Sequence, residues 1–288
     1  MTEILDGKKI SSEIKNEVRE AVEKITEAGE SVSLAVIIVG DDPASKIYVR
    51  NKKKACDYTG INSINIELPS DINEDQLLEK IDQLNNDTNI NGILVQLPLP
   101  KHIHKEKVIN RISPYKDVDG FHPINIGRLS TNKPVFTPCT PAGIIELLRR
   151  YNIVIDGKNC VVIGRSDIVG KPVFNLLLNE NGTVTICHTH TKNIKDITLN
   201  ADIIISAVGK RHVVTNDMVK PDVVIVDAGM NRESDGKLYG DCDYDDIFDM
   251  ASYITPVPGG VGPMTIAMLM KNCLKAYEIQ KAGLNEMP

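Results

Sequence analysis

A lysine and a tyrosine that could support proton-transfer chemistry stand four residues apart in the first third of the chain. They are Tyr48 and Lys52, in the stretch KIYVRNKKKACDYTG, and in a helix this spacing puts them on one face. A basic run on a helix is most often a solvated surface. If this face is instead turned toward a pocket, loss of water favours a neutral amine at Lys52 that can move protons, and Tyr48 can stack on a flat heterocycle.

Further polar side chains occur where the sequence pattern places strand ends and loops. Gln96 ends a predicted buried strand in GILVQLPLP. A side-chain amide is unfavourable there unless it forms a specific hydrogen bond. Asp117 and Asp119 lie in KDVDGFHP. An Asp before Gly usually forms a turn, but two Asp in a Pro-rich loop also allow a ligand-binding role.

A third candidate site is the turn GRSDIVGKP, which follows the apolar strand CVVI and precedes the helical pattern VFNLLL. A strand, a Gly-bounded turn and a helix start can bind phosphate through backbone amides. Gly164 and Gly170 permit a tight backbone, whereas Ser166 replaces the second Gly of the G-x-G-x-x-G pattern and adds a hydroxyl donor. An ordinary turn without a ligand is the alternative reading of this stretch.

The next strand indicates which dinucleotide the turn could bind. An NAD site usually has an acidic residue about 20 positions on, yet this strand ends in His188, Thr189 and His190. Arg165 directly follows Gly164. A missing acid and an added Arg favour the 2′-phosphate of NADP. The two His could instead bind metal, but no nearby carboxylate completes a ligand set, so we expect no metal site.

The elements that position these residues alternate between strand and helix patterns, which predicts an α/β fold with parallel sheets. Asp42-Pro43 opens a helix that runs to Thr59 and ends at Gly60. A Pro/Gly-rich stretch from Pro98 to Pro141 interrupts the alternation and predicts long irregular connections. We therefore expect two α/β domains around a cleft, the second of them a Rossmann-like NADP-binding domain. The predicted limits are 1–139 plus 265–288 for the first domain and 140–264 for the second.

Composition excludes several classes of function. The 288-residue chain has a net charge of −6, no Trp and 4% aromatic residues, so we expect no nucleic-acid partner. It has no apolar run long enough for a membrane span, and its first residues lack a signal-peptide pattern. The six Cys form no C-x-x-C pair, which is typical of a cytoplasmic protein with buried thiols.

Seven segments together resemble the bifunctional methylenetetrahydrofolate dehydrogenase/cyclohydrolase family, and they occur in family order over nearly the whole chain. They are YVRNKKKAC, GILVQLPLP, KDVDGFHPINIG, TPCTPAG, GRSDIVGKP, ADIIISAVG and TPVPGGVGPMTIAML. The resemblance implies oxidation of 5,10-methylenetetrahydrofolate with NADP, followed by hydrolysis to 10-formyltetrahydrofolate. It further implies a homodimer that acts in one-carbon metabolism, including the supply of purine biosynthesis.

The resemblance also implies roles for individual residues. Lys52 corresponds to the catalytic lysine, Gln96 to its hydrogen-bonding partner, Tyr48 to the residue stacked on the folate and Asp119 to the residue that holds the amino edge of the pterin. The loop Pro256–Pro263, with Pro258, Gly259 and Gly260, is similar to the one that closes over the folate. The residues at cofactor positions are Gly164, Arg165, Ser166, Thr189, Val208 and Gly209.

Two departures from the family pattern are small: GKRHVV at Gly209–Val214 is an unusual turn after the third strand, and Phe121 replaces a more usual Leu. Three alternatives stay open from the sequence. The chain could be a dehydrogenase without cyclohydrolase activity, another two-domain NADP dehydrogenase such as one for shikimate-like hydroxy acids, or a nucleotide-binding regulatory module without catalysis.

Overall fold

The fold is described from a computed structural model, which covers residues 1–233 and 236–283. The chain divides into two compact units. The first unit consists of Ser12–Cys139 and the segment from Ile266 on, and the second consists of Thr140–Thr265 with Met1–Ser11. The predicted α/β class with two domains is confirmed. The predicted cleft and domain limits stay predictions, and the compact units differ from those limits in assigning the first 11 residues to the second unit.

Helices and strands are numbered in chain order. The strands are β1 Glu3–Ile4, β2 Ser33–Val39, β3 Asn62–Leu68, β4 Gly92–Val95, β5 Asn159–Ile163, β6 Thr183–Cys187, β7 Ile203–Ser206, β8 Val223–Asp227, β9 Asn231–Arg232, β10 Leu238–Tyr239 and β11 Ala251–Ile254. The helices are α1 Gly7–Glu27, α2 Pro43–Thr59, α3 Glu74–Asn86, α4 Lys105–Arg111, α5 Pro123–Ser130, α6 Cys139–Arg150, α7 Gly170–Asn179, α8 Ile194–Thr198, α9 Tyr244–Ile247 and α10 Val261–Lys281.

The first unit contains a three-stranded parallel sheet in the order β3-β2-β4. Every residue of β2 and β4 is buried, as expected for parallel strands covered on both faces. Helix α2 begins and ends where its sequence predicts. The Asp42 side chain accepts a hydrogen bond from the Ser45 amide at 2.7 Å, and Gly60 closes the helix with φ 77°.

The stretch from Pro98 to Pro141 is more regular than we predicted from its Pro and Gly content. It contains α4, α5 and the start of α6. Pro123 occupies the first turn of α5, where a missing amide hydrogen costs nothing, and His122 Nδ1 accepts the Ile124 amide there. Irregular connections occur at 96–104, 112–122 and 131–138, but helices that were not predicted separate them, because some of these prolines start helices.

The second unit contains a six-stranded parallel sheet in the order β1-β11-β8-β7-β5-β6. Four short apolar runs of the sequence, CVVI, TVTIC, DIIIS and DVVIV, form β5 to β8, and β1 and β11 extend the sheet at one edge. The first of the four, β5, lies between β6 and β7. Strand order therefore reverses at β5, which is the point where doubly wound sheets bind ligands beyond the carboxyl ends of their strands.

The described part of the chain contains no helix long and apolar enough to cross a membrane. All six cysteines are buried and carry free thiols. Burial raises the pKa of the Cys160, Cys187 and Cys242 thiols in the second unit, to about 12 for Cys160. These cysteines therefore pack as small apolar residues.

Candidate functional site

The predicted pair of Lys52 and Gln96 is brought together in the first unit. Lys52 Nζ donates a hydrogen bond of 3.0 Å to Gln96 Oε1, and both side chains are half-buried. Lys52 lies in the middle of α2, while Gln96 directly follows β4. The Gln96 amide donates to the Ile37 carbonyl of β2 at 2.8 Å, so its backbone continues the sheet ladder. The lysine thus meets an acceptor whose position the sheet determines.

The Asp119 carboxyl group lies close enough to Lys52 for their charges to interact. Burial raises the pKa of Asp119 above its usual range, and the positive charge of Lys52 opposes this rise. Across residues 1–233 and 236–283, no group donates a hydrogen bond to the Asp119 carboxylate. A half-buried acid without an internal donor is suited to accept hydrogen bonds from a ligand.

Asp117 has a different environment from Asp119, although only one residue separates them. Its buried carboxylate accepts hydrogen bonds from the His122 amide and from Asn125 Nδ2, both at 2.8 Å, and from the Phe121 amide at 3.2 Å. Burial raises the pKa of Asp117 to about 7, although these hydrogen bonds favour the ionised carboxylate and oppose the rise. Of the two acids in this loop, Asp117 is therefore the turn-forming one.

Two residues that the sequence analysis did not single out also hold this loop. The buried Asn272 on α10 donates from Nδ2 to the Val118 carbonyl at 2.8 Å and to the Thr137 carbonyl at 3.1 Å. Gly120 has φ 75°, and a Cβ there would lie 2.6 Å from the Pro138 nitrogen. The available signal for Asn272 was an amide within the apolar helix MTIAMLMKNCLK.

Tyr48 lies one turn before Lys52 on α2 and is 39% exposed. An aromatic ring at that exposure can stack on a planar ligand, and this role stays a prediction. Lys54, two residues further along the same helix, is exposed.

The turn GRSDIVGKP in the second unit is as tight as its glycines predict. A Cβ on Gly164, which has φ 121°, would lie 2.3 Å from the Ala207 carbonyl oxygen. A Cβ on Gly170 would lie 2.3 Å from the carbonyl oxygen of Gly164 itself. The backbones of β5, the loop after β7 and α7 therefore pack against one another where no side chain fits.

Ser166 has a capping role in this turn. Its Oγ accepts the amides of Val169 and Gly170 at 3.2 and 3.3 Å, and its carbonyl accepts the Lys171 amide at 3.0 Å. The first amides of α7 therefore already have acceptors. Within the described residues, the amides of Arg165 and Ser166 have none, and the Ser166 hydroxyl hydrogen can still be donated. A phosphate would be bound by these groups rather than by the helix end.

Arg165 lies near the end of β6, where an NAD site would carry an acid. Desolvation lowers the pKa of His188, and the nearby positive charges of Arg165 and His190 lower it further. His188 Nδ1 accepts the His190 amide at 3.1 Å, so this nitrogen is engaged within the loop. Thr189 is exposed beside them. Among the residues that the structure describes, no three His, Cys, Asp or Glu side chains could hold a metal ion.

Val208 and Gly209 follow β7 and are exposed, but their amides point inward to the carboxylate of Asp241. The predicted site residues did not include Asp241, which lies more than 30 residues further along the chain in GDCDYDD. No local pattern distinguishes this Asp from the other acids of that segment.

The loop around Pro258, Gly259 and Gly260 is held by the start of α1. The Lys8 amide donates to the Gly259 carbonyl at 3.0 Å, and a Cβ on Gly7 would lie 1.8 Å from the Gly260 carbonyl oxygen. Gly259 and Gly260 are buried and Pro258 is exposed. Because α10 begins at Val261, the loop is shorter than the predicted Pro256–Pro263. Gly7 was not singled out, although Asp-Gly before a helix is a turn signal.

Comparisons with known proteins match both parts of the chain to a single family. Residues 5–119 match the profile of the tetrahydrofolate dehydrogenase/cyclohydrolase catalytic domain, and residues 138–281 match the NAD(P)-binding domain of the same family. The bifunctional protein FolD of Agathobacter rectalis is 56% identical over 278 residues, which cover 96% of this chain and all of that protein.

Solved structures of proteins named for the same two activities are also similar to this chain. The bifunctional FolD methylenetetrahydrofolate dehydrogenase/cyclohydrolase of Campylobacter jejuni is 47% identical with a TM-score of 0.96, covering 97% of this chain and 100% of that one. The Trypanosoma brucei methylenetetrahydrofolate dehydrogenase-cyclohydrolase, solved with NADP cofactor and an inhibitor, is 37% identical with a TM-score of 0.93 and covers 97% and 98% of the two chains.

Replacing Asp117 by Asn should remove a pH dependence of stability. Because its pKa is raised to about 7, folded Asp117 keeps a proton that the unfolded chain has already released above its ordinary pKa. The free energy of unfolding of the wild type should therefore fall as pH rises from about 4 to about 7, by at most about 4 kcal/mol relative to the variant.

Urea unfolding at several pH values in that range measures this difference. Asp57→Asn, on the exposed face of α2, is the matched control and should keep the wild-type slope. Parallel curves for the wild type and Asp117→Asn would show that the carboxyl group does not titrate in this window.

Proposed function

The chain belongs to the tetrahydrofolate dehydrogenase/cyclohydrolase family, and on that basis we propose how its residues carry out the two reactions of the family. The protein oxidises 5,10-methylenetetrahydrofolate to the 5,10-methenyl cation with NADP and hydrolyses that cation to 10-formyltetrahydrofolate. A dehydrogenase without cyclohydrolase activity is not favoured, because the relatives are bifunctional and Lys52 and Gln96 are in contact here. A different two-domain dehydrogenase is not favoured either, because both domain profiles belong to folate enzymes.

The residues around the turn after β5 fit NADP. Gly164 and Gly170 leave no room for a Cβ, the amides of Arg165 and Ser166 are available as donors, and β6 ends without an acid. Arg165, Ser166 and Thr189 would hold the 2′-phosphate end, and Gly164, Val208 and Gly209 would line the rest of the site. NADP, when bound, accepts the hydride. The protein must align the donor carbon and supply no strong base, because two nitrogen lone pairs assist departure of the hydride.

The hydration step needs proton transfer, and the Lys52–Gln96 hydrogen bond is the single observation that carries this part of the proposal. Gln96 Oε1 orients the Lys52 amine at 3.0 Å. A water molecule adds to the methenyl carbon as the amine removes its proton. The carbon–nitrogen bond of the ring then breaks, the amine returns that proton to the leaving nitrogen, and the hydroxyl group releases its remaining proton to solvent as it becomes the formyl carbonyl. The 10-formyl product and an unchanged lysine result.

Asp119 and Tyr48 bind the substrate in this proposal. The aminopyrimidine edge of the pterin offers adjacent N–H donors, and the Asp119 carboxylate has no donor from the described residues to compete with them. Tyr48 stacks on the ring plane, and Pro258, Gly259 and Gly260 cover the folate. Asp119 is grouped with Lys52 and Gln96 as catalytic because its charge also interacts with that of the lysine.

Lys52→Met should abolish the cyclohydrolase reaction while NADP still binds, since the methionine cannot carry a proton. We expect a loss of about 10²- to 10⁴-fold in methenyltetrahydrofolate hydrolysis, followed by its absorbance, with an unchanged NADP affinity by calorimetry. The matched control Lys54→Met changes an exposed lysine of the same helix and should behave as the wild type. Unchanged hydrolysis in Lys52→Met would remove this residue from the mechanism.

Arg165→Ala should weaken NADP far more than NAD, because only NADP carries the 2′-phosphate. Loss of a charge-assisted hydrogen bond predicts a decrease in NADP affinity of roughly 10- to 100-fold, with NAD changed by at most about twofold. Arg149→Ala, which breaks an exposed ion pair with Glu180 in the same unit, is the control. Equal losses for both cofactors would contradict a 2′-phosphate contact.

We also propose that the protein is a homodimer. Within the described parts of the chain, strands β3 and β6 each pair with a neighbour on one side only, and an open strand edge can pair with a second copy. Light scattering after size exclusion should then give a molar mass about twice the 31.7 kDa of one chain. A mass of one chain at micromolar concentration would rule the dimer out.

The proposed location is the cytoplasm, which suits six free, buried thiols. There the enzyme would take part in one-carbon metabolism. Its product carries an activated formyl group of the kind that purine biosynthesis consumes.

A further inference from the structure

The Asp241 carboxylate is fully buried in the second unit and accepts an unusual set of hydrogen bonds. Three consecutive backbone amides and two side chains donate to it. The donors are the amides of Val208 at 2.6 Å, Gly209 at 3.1 Å and Lys210 at 3.0 Å, Ser206 Oγ at 3.2 Å, and Asn231 Nδ2 at 3.0 Å.

Successive amides that converge on one point form a concave anion site, and here a side chain of the same chain fills it. A buried carboxylate requires several donors to offset its lost hydration, and those amides in turn require an acceptor. Each partner therefore determines the position of the other. Without the carboxylate, the three amides from Val208 to Lys210 would lose their acceptor, and this backbone conformation would be destabilised.

Asp241 connects two loops that leave the same edge of the sheet. One follows β7 and contains Val208, and the other follows β8, contains Gly229 and leads into β9 at Asn231. A Cβ on Gly229 would lie 2.1 Å from Asp241 Oδ1, so this second loop also packs directly on the carboxylate. Strands β7 and β8 are neighbours, with Ser206 opposite Asp227.

Asp227 keeps Asp241 itself in place. The Asp227 carboxylate is buried and accepts the amides of Asp241 at 2.9 Å, Cys242 at 2.8 Å and Gly229 at 2.8 Å. A Cβ on Gly240 would lie 2.0 Å from Asp227 Oδ2. The two acids thus hold the 240–242 segment against both loops.

The strand order relates these loops to the cofactor. A dinucleotide that crosses the reversal at β5 has its adenosine half toward β6, where Arg165 and Thr189 lie, and its other half toward β7 and β8. We infer that Asp241 is a positioning residue for the nicotinamide half of the cofactor, acting through the loops after β7 and β8. This inference rests on the proposed use of NADP by the second unit.

Asp241→Asn tests the inference, because the amide NH₂ would face backbone N–H donors and could not replace a carboxylate oxygen. We expect NADP affinity by calorimetry to fall about tenfold or more, with a lower rate of methylenetetrahydrofolate oxidation. Binding of adenosine 2′,5′-bisphosphate, which lacks the nicotinamide half, should stay within about twofold of the wild type. Hydrolysis of methenyltetrahydrofolate without NADP should not change.

Asp243→Asn is the matched control, since this half-buried acid lies only two residues after Asp241 and its carboxylate pairs with His212 instead. It should leave all these measurements at wild-type values. Ser206→Ala removes one donor but keeps the carboxylate, and it should weaken NADP by about two- to fivefold while sparing adenosine 2′,5′-bisphosphate. This variant decides the question if Asp241→Asn does not fold.

Equal weakening of NADP and adenosine 2′,5′-bisphosphate in both variants would overturn the inference, because Asp241 would then support the whole unit. Unchanged NADP binding and oxidation would overturn it as well. A wild-type protein that binds NADP but does not oxidise methylenetetrahydrofolate would instead contradict the proposed function, while the difference between the two binding probes would still support a positioning role.

Discussion

The hydrogen bond between the Lys52 amine and the Gln96 amide oxygen is the interaction on which the proposed chemistry depends. It joins a side chain in the middle of a capped helix to the first residue beyond a fully buried strand. The backbone positions of both partners are fixed, because α2 is capped at both ends and the Gln96 amide continues the sheet ladder. A proton-transferring amine therefore has a defined direction before any substrate binds, which is the main contribution a protein can make to such a step.

Both units use a buried carboxylate to shape a functional loop. Asp117 collects two amides and a side-chain amide, which leaves the neighbouring Asp119 available for a ligand. Asp241 collects three successive amides and draws the loops after β7 and β8 to one point. In each case the protein chain itself supplies the acceptor, so the shape of the loop does not rely on the bound molecule. Glycines complete the arrangement where two backbones meet too closely for a Cβ, as at Gly164 and Gly170.

The parts of the fold that could be predicted are those set by local patterns. The limits of α2 follow from Asp42, Pro43 and Gly60, and the strands β5 to β8 follow from short apolar runs. Local patterns did not predict the helices between Pro98 and Pro141, because a proline that starts a helix and one that ends it look alike without the neighbouring contacts. Local patterns also gave no indication of the roles of Asn272, Gly7 and Asp241, because the partners of these residues lie far along the chain.

The sequence by itself determined the α/β class, the family and the residue types available for chemistry, because periodicity, turn residues and motif order are local properties of the chain. Only the tertiary structure decided which of two neighbouring acids is free and that a distant Asp orders the loop at Val208 and Gly209. These outcomes depend on where buried donors and acceptors find partners, and a buried polar group must be satisfied by whatever the fold brings near it.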